Sequence, residues 1–129
     1  MTKEKKIKLD VFLCDIHIII TDNPNKYVDE KRIRQYCSDT PDEDLEKNCD
    51  GIVFHKGKSD YYVMLPPTVD LGVIAHESVH LIGRIFHDRG QLADYGNDEV
   101  YAYYVGWITR EINSYIDRIY SYFKNGKTE

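Results

Sequence analysis

Two long amphipathic helices are predicted in the second half of this 129-residue chain, and they restrict the folds that it can adopt. Over residues 69–87 apolar side chains recur at helical spacing, on a face made of Leu71, Ile74, Ala75, Val79, Ile82 and Phe86. After Asn97, a predicted N-cap, the same pattern continues with Val100, Tyr104, Trp107, Ile108, Ile112, Tyr115, Ile116 and Ile119. Helices with one apolar face must bury it, so the first half of the chain has to supply the opposing layer.

Strand signals dominate that first half. Residues 7–21 are rich in β-branched and aromatic side chains and predict one long strand, which the turn residues 22–25 end. Residues 28–37 then predict a short helix with three apolar positions on one face. The acidic stretch over residues 38–50 predicts an exposed loop.

A hairpin is predicted between this loop and the first long helix. Residues 51–55 and 61–65 read as strands, and the segment between them contains the Gly and Asp of a turn. Pro66 and Pro67 stop the second strand, and Thr68 is a predicted helix N-cap. The order of elements predicts a single α+β domain, in which a short antiparallel sheet packs on the two long helices.

Charge and hydropathy exclude two classes of partner. The chain has 17 Lys and Arg residues against 22 Asp and Glu residues, whereas nucleic-acid-binding domains usually carry a basic surface. No apolar run reaches the length of about 18 residues that a membrane-spanning helix needs. We therefore expect neither nucleic acid nor a membrane as a partner.

The cysteines indicate the compartment. Cys14, Cys37 and Cys49 are too few and too far apart for a disulfide framework or a thiolate zinc site. They fit a reducing, cytoplasmic compartment. The predicted fold therefore depends on its hydrophobic core, aided by any metal that other side chains hold.

One segment of the first long helix has the residue types of a metal site. His76-Glu77-Ser78-Val79-His80 has the form H-E-x-x-H. Residues four apart lie one turn apart on one face of a helix, so both imidazoles can reach one ion. Glu77 lies beside them, where it can take a proton from a metal-bound water. Both histidines fall opposite the apolar face, which favours a metal site over a chance pair of surface histidines.

A catalytic zinc needs a third protein ligand and leaves a fourth position for water. His87 is two helical turns beyond His80, roughly 10 Å along the axis, and is too far away. Phe86 occupies the position of the third histidine in the metzincin pattern H-E-x-x-H-x-x-G-x-x-H, and no methionine follows the motif. The acids further along are better candidates, namely Glu99 and, as alternatives, Asp98 and Asp94. Glu99 has a second interpretation, as an acid that only complements the helix dipole.

The full pattern H-E-x-x-H-x18-E resembles the gluzincins, zinc metallopeptidases in which a second helix brings a glutamate to the metal. Residues 97–102 are similar to the N-E-x-x-A neighbourhood of that helix, with one residue different at its start. The resemblance covers residues from about 51 to 107 and points to the small stand-alone type, the minigluzincins. It implies a zincin-like fold, zinc as cofactor, a peptide or protein substrate, Glu77 as general base, and as metal ligands His76, His80 and Glu99.

The resemblance also implies how substrate is held. In gluzincins an edge strand before the motif helix binds an extended substrate by β-addition, and residues from Phe54 to Leu65 would supply that edge. Tyr103 stands where some members carry an acid that buttresses a metal-binding histidine. The residue that assists at the oxyanion stays open among three candidates, namely His55, Tyr101 and Tyr103.

Two functions are compatible with these residues. The first is a zinc-dependent hydrolase, specifically a metallopeptidase, in which Glu77 acts as general base on a zinc-bound water. The second is a non-catalytic zinc-stabilised protein-binding module, which suits the small size of the chain and its many tyrosines. Glu77 favours the hydrolase, and so does the count of three evident ligands, because structural zinc sites usually have four.

Overall fold

The computed structural model describes residues 1–37, 43–48, 50–92, 94–96 and 98–124, with backbone alone for residues 47, 48 and 121–124. Within these ranges the strands are β1 (Thr2–Leu9), β2 (Cys14–Thr21), β3 (Ile52–Lys56) and β4 (Asp60–Leu65). The helices are α1 (Pro24–Lys31), α2 (Arg34–Cys37), α3 (Leu45–Asn48), α4 (Leu71–Asp88) and α5 (Glu99–Lys124). No helix in the described ranges has both the length and the apolar character needed to cross a bilayer.

The strands form one sheet in the order β1-β2-β4-β3. β1 with β2 and β3 with β4 are antiparallel pairs, whereas β2 and β4 are parallel. The α+β class is therefore confirmed, but the prediction of a purely antiparallel sheet is wrong. The parallel pair arises because the chain leaves β2, passes through α1–α3 and β3, and only then returns as β4 beside β2.

The predicted long strand over residues 7–21 is wrong, because two antiparallel strands share this region. Between them Asp10–Phe12 form a 3-10 turn, and Leu13 has a φ of 55° with its N–H donating to the Asp10 carbonyl. The apolar Val11 and Leu13 are consequently exposed. Apart from Asp10, the turn contains none of the residues that usually mark one, so composition did not reveal it.

The predicted helix over residues 28–37 is divided in two. β2 ends at Thr21, directly before the predicted turn, and α1 begins within that turn at Pro24. Asn23 caps this helix by accepting a hydrogen bond from the Lys26 N–H. Arg32, with a φ of 59°, then ends α1 before α2 begins. The predicted acidic loop contains α3, and two parts of it, residues 38–42 and Cys49, lie outside the described residues.

Helices cover both faces of the sheet. Ile16, Ile18 and Ile20 of β2 belong to the core shared with α4 and α5, whereas Ile19 belongs to the core under α1–α3. A strand that is buried on both faces carries apolar residues almost continuously, which accounts for the strong strand signal of β2.

The predicted helix over residues 69–87 is confirmed as α4, with a start displaced by two residues. Asp70, and not Thr68, is the N-cap, and its carboxylate accepts a hydrogen bond of 2.9 Å from the Val73 N–H. Arg89 and Gly90 end the helix as predicted, and Gly90 has a φ of 70°. A left-handed residue of this kind is typical at the end of a helix, where glycine avoids the strain of a Cβ.

The buried face of α4 differs in part from the predicted one. Leu71 and Val79 are exposed, whereas the other predicted positions are buried or half-buried, namely Ile74, Ala75, Ile82 and Phe86. The buried stripe is centred on Ile74, Leu81 and Ile85. Val79 follows Ile74 by five residues, which places it more than a third of a turn away from that stripe.

The predicted core face of α5 is largely confirmed. Five of its members are buried, namely Ile108, Ile112, Tyr115, Ile116 and Ile119, and two are half-buried, namely Tyr104 and Trp107. Val100 is exposed because it lies in the first turn of α5, two turns before Ile108, the first buried residue of this helix. The predicted cap Asn97 lies outside the described residues.

Candidate metal centre and substrate groove

The orientation of α4 decides where the H-E-x-x-H side chains lie. Its stripe of buried residues faces the sheet, so His76 and His80 lie on the opposite, exposed side. Their ring centroids are 4.8 Å apart. The two imidazoles therefore share one outward face, as the sequence predicts, and are close enough to approach a common ion.

Glu77 lies on the flank of α4 that faces β3 and is only 9% exposed. Its Oε2 is 3.8 Å from His76 Nε2, and none of the described residues donates a hydrogen bond to the carboxylate. Burial raises the pKa of the Glu77 carboxyl above its ordinary value, although the charges of His76 and His80 lower it. A carboxylate that is buried without donors takes up a proton readily, as a general base must.

A groove of about 560 Å³ lies between α4 and β3. Glu77, His80 and Arg84 line one wall, and the other residues around it are Glu43, Gly51, Ile52, Val53, Phe54 and His55. β3 is an edge strand, and its outer backbone groups have no hydrogen-bond partner among the described residues. An extended peptide can pair with such an edge, so the groove offers both a binding strand and reactive side chains.

This arrangement corrects the expected substrate edge. The resemblance implies that residues from Phe54 to Leu65 supply it, but β4 pairs with β2 on one side and with β3 on the other. β4 therefore has no free edge, and only β3 can accept a peptide at this end of the sheet.

Gly51 allows Glu77 to lie against the start of β3. A Cβ at residue 51 would lie 2.6 Å from Leu65 Cδ2 and 3.0 Å from Glu77 Cγ. The first distance is shorter than carbon atoms tolerate, and the second requires Glu77 to shift by a few tenths of an ångström. Leu65 is buried in the core and cannot move away freely. Glycine is therefore needed at residue 51 because there is no room for a side chain, and not because of its backbone conformation.

We expect Gly51→Ala to lower the free energy of unfolding by about 1–3 kcal/mol, because the new methyl group overpacks the site. It should also displace Glu77 and reduce any hydrolysis. Gly106→Ala is the matched control, because its Cβ would meet only Arg110 Nη1, at 3.4 Å, in the middle of α5. Equal melting temperatures of the two variants would contradict this account.

The third predicted ligand does not lie beside the histidines. In the parts of the chain that the structure describes, no group of three or more His, Cys, Asp or Glu side chains is placed to hold a metal ion. Glu99 is the first residue of α5 and is exposed. It precedes the buried Ile108 by nine residues, or two and a half turns, and so lies on the outer side of the helix. Asp94 and Asp98 are also exposed, and His87 lies two turns beyond His80 as expected.

Tyr101, and not Glu99, is the residue near the start of α5 that contacts α4. Its hydroxyl donates a hydrogen bond of 2.9 Å to the Val79 carbonyl, and its ring packs edge-on against Phe86 at 5.4 Å between centroids. The same hydroxyl is 3.3 Å from the Cβ position of Gly83, so a side chain there would crowd this contact. Tyr101 thus holds the two helices together one residue away from His80.

The three oxyanion candidates differ in position. Tyr101 is engaged by the carbonyl of Val79, and Tyr103 is exposed on the outer side of α5. His55 lines the groove, and its Nδ1 is 2.7 Å from the Gly57 carbonyl, which fixes Nδ1 as the donor in that hydrogen bond. Of the three, His55 is therefore the one that can reach a peptide bound along β3.

Sequence reasoning missed Arg84. It follows His80 by four residues and therefore lies on the same flank of α4, in the groove. Helical spacing alone predicts this position, but arginine is not a metal ligand and so was not among the residues that the metal-site pattern singles out. Asp88, which follows by another four residues, pairs with it.

The donor set fits zinc in part. Two imidazoles one turn apart are two of the three ligands that a catalytic zinc requires, and a proton acceptor lies beside them. The described residues do not place a third donor with them. Comparison of the chain with protein-family models, with curated proteins and with solved structures finds no match.

Proposed function

We propose that this protein is a zinc-dependent metallopeptidase of a small, gluzincin-like type with a zincin-like fold. One observation carries the proposal: the buried Glu77, which accepts no hydrogen bond from any described residue, lies beside two imidazoles on a helix that borders the edge strand β3. A site that only stabilises the fold has no use for a buried carboxylate 3.8 Å from one of its metal ligands.

Each group has a distinct role in the proposed reaction. Zinc, when bound, supplies Lewis acidity that lowers the pKa of a water molecule and polarises a carbonyl. His76 and His80 hold the metal on the outward face of α4. Glu77 accepts the proton of the attacking water and returns it to the leaving nitrogen. The backbone of β3 holds the peptide extended, so that its scissile bond lies across the groove from Glu77.

We assign the third ligand position to Glu99. α4 ends at Asp88 and α5 begins at Glu99, two residues before Tyr101, whose hydroxyl donates to the Val79 carbonyl of α4. For Glu99 to bind the metal, the backbone ahead of Tyr101 has to change its path, so that the carboxylate passes from the outer side of α5 to the histidines. Metal binding is then coupled to a local rearrangement at the start of α5.

We expect zinc to stabilise the folded protein and Glu99→Ala to reduce this effect. A ligand at about a thousandfold excess over its Kd raises the free energy of unfolding by ~4 kcal/mol. The difference in melting temperature between zinc-loaded and chelated protein should therefore shrink in Glu99→Ala. It should persist in Asp117→Ala, a matched acid further along the exposed side of α5. If Glu99→Ala kept the wild-type difference in melting temperature and Asp98→Ala or Asp94→Ala lost it, the third ligand would be that aspartate and not Glu99.

One observation favours the alternative, a non-catalytic zinc-stabilised protein-binding module. Four large apolar or aromatic side chains are exposed at the end of the connector and the start of α5, namely Leu92, Tyr95, Val100 and Tyr103. Such residues are enriched in protein interfaces. The alternative leaves Glu77 without a purpose, so we prefer the peptidase.

Digestion of an unbiased peptide mixture distinguishes the two functions. The peptidase proposal predicts cleavage that stops when zinc is chelated and returns when zinc is added back. The matched negative control is the Glu77→Gln protein, prepared in the same way, which excludes a contaminating protease. A zinc-loaded protein that leaves the whole mixture uncut would favour the binding module.

A further inference from the structure

Arg84 has a fixed position in the groove. It lies one helical turn beyond His80 and two beyond Glu77. Its guanidinium pairs with Asp88, with Nη2 at 3.2 Å from Oδ1 and Nε at 3.4 Å from Oδ2. The Asp88 side chain is only 2% exposed and accepts a further hydrogen bond of 2.7 Å from the Tyr61 hydroxyl. The guanidinium is therefore supported by a buried carboxylate that Tyr61 also holds by a hydrogen bond.

This contact leaves part of the guanidinium unused. Arginine carries five N–H donors in a planar fork, and the pair with Asp88 engages the edge formed by Nε and Nη2. Nη1 of Arg84 has no hydrogen-bond partner among the described residues, and the side chain is 44% exposed. Carboxylates and phosphates complement such a donor edge, and in an unmodified peptide that group is a carboxylate.

We propose that Arg84 is the specificity-determining residue of this groove and binds the carboxylate of an acidic side chain in the substrate peptide. The inference rests on the proposed function, because it assigns a substrate preference to the same site. It follows from the placement of the guanidinium. Arg84 is the one arginine or lysine among the described residues that line the groove, whose acids are Glu43 and Glu77. Asp88, the acid that supports Arg84, is buried outside this lining.

The direction of β3 fixes where this acidic residue lies. β3 starts next to Gly51, which lies against Glu77. Further along β3, the ring of His55 is 6.0 Å from the ring of Tyr61. The Tyr61 hydroxyl donates to Asp88, the acid that pairs with Arg84. The strand therefore passes from the Glu77 end of the groove to the Arg84 end. A peptide that pairs antiparallel, the more stable arrangement, runs the opposite way. Its acidic residue then precedes the scissile bond.

The helix gives the distance between the two positions. Seven residues of α4 separate Glu77 from Arg84, which is a rise of roughly 10 Å. An extended peptide covers this distance in about three residues. We therefore expect the acidic side chain about three positions before the scissile bond. A peptide that ran parallel to β3 would instead place its free C-terminal carboxylate at Arg84.

Peptide binding tests the inference without turnover. The probes are alanine-based, fluorescently labelled peptides with an amidated C-terminus, in which one glutamate or glutamine is moved along the sequence. Binding to zinc-loaded Glu77→Gln protein is followed by fluorescence polarisation. At one position the glutamate peptide should bind about tenfold more tightly than its glutamine counterpart.

Variants on the Glu77→Gln background assign this preference to Arg84. Arg84→Gln should abolish it, and Arg84→Lys, which keeps the charge but not the fork, should retain part of it. Arg110→Gln, which removes an exposed arginine from the outer side of α5, should retain all of it. Melting curves of each variant show that loss of binding is not loss of the fold.

Three results would overturn the inference. These are equal affinity for the glutamate and glutamine peptides, a preference that survives in Arg84→Gln, or a preference that appears only for peptides with a free C-terminus. The peptidase proposal and the role of Arg84 can fail independently. Cleavage by the wild-type protein without any acidic preference removes this inference alone, whereas binding through Arg84 without cleavage removes the peptidase proposal alone.

Discussion

Glu77→Gln is expected to abolish peptide hydrolysis and to leave zinc binding intact. Glutamine has the size of glutamate but cannot accept the proton of the attacking water, and both histidines are unchanged. General-base catalysis contributes roughly 10²–10⁴-fold, so the loss of kcat should be at least about a hundredfold. The measurement is the rate of cleavage of an identified peptide, made together with the zinc content of the same sample.

A surface variant provides the control for this result. Glu30→Gln removes one carboxylate from the exposed side of α1 and should keep wild-type activity. Wild-type turnover by Glu77→Gln would show that another group accepts the proton. Loss of zinc from Glu77→Gln would instead show that Glu77 has a role in holding the metal.

Replacement of His76 or His80 by alanine is expected to remove both zinc binding and activity. Each imidazole is one of only a few proposed metal ligands. Loss of a residue that merely hydrogen-bonds a ligand lowers metal affinity roughly 10–100-fold, so loss of a ligand itself should lower zinc affinity further. Both side chains are exposed, so their removal leaves no cavity in the core. The stability of the metal-free protein should therefore change by less than about 0.5 kcal/mol.

His87→Ala is the matched control, because His87 lies on the same outward side of α4 but two turns beyond His80. It should retain zinc affinity and cleavage. Titration of zinc against each metal-free variant measures the affinities. Equal affinities of His80→Ala and His87→Ala would show that the motif does not hold the metal.

The helical half of the fold was predictable because its signals are local. The apolar spacing in α4 and α5 depends on 3.6 residues per turn and needs no knowledge of the rest of the chain. The hairpin of β3 and β4 was predictable for the same reason, since Gly57 and Asp60 lie between two short apolar runs. Such local signals also placed His76 and His80 on one face.

Features that depend on tertiary packing were not predictable. The pairing of β2 with β4 is parallel because of the path of the intervening chain, which no local pattern records. The requirement for glycine at residue 51 exists only because Leu65 and Glu77 meet there. The turn over Asp10–Leu13 was hidden because its exposed Val11 and Leu13 have the composition of a strand.

The proposed metal ligands divide in the same way. The two histidines lie on one helix, so spacing alone fixes their relation. Glu99 lies on a different helix, and its distance from the histidines depends on how α5 turns as the connector ends. The resemblance to gluzincins names this residue, but the described structure places it on the outer side of α5. Glu99 as a ligand therefore stays a prediction.

The zinc content of the wild-type protein tests the central claim most directly. The protein is treated with a chelator, dialysed, loaded with zinc and freed of excess metal, and the zinc bound per chain is then measured. The account predicts one tightly bound zinc per chain, and none in a His76→Ala and His80→Ala double variant treated in parallel. A wild-type protein that retains no more zinc than the double variant would contradict the metal site and the hydrolase built on it.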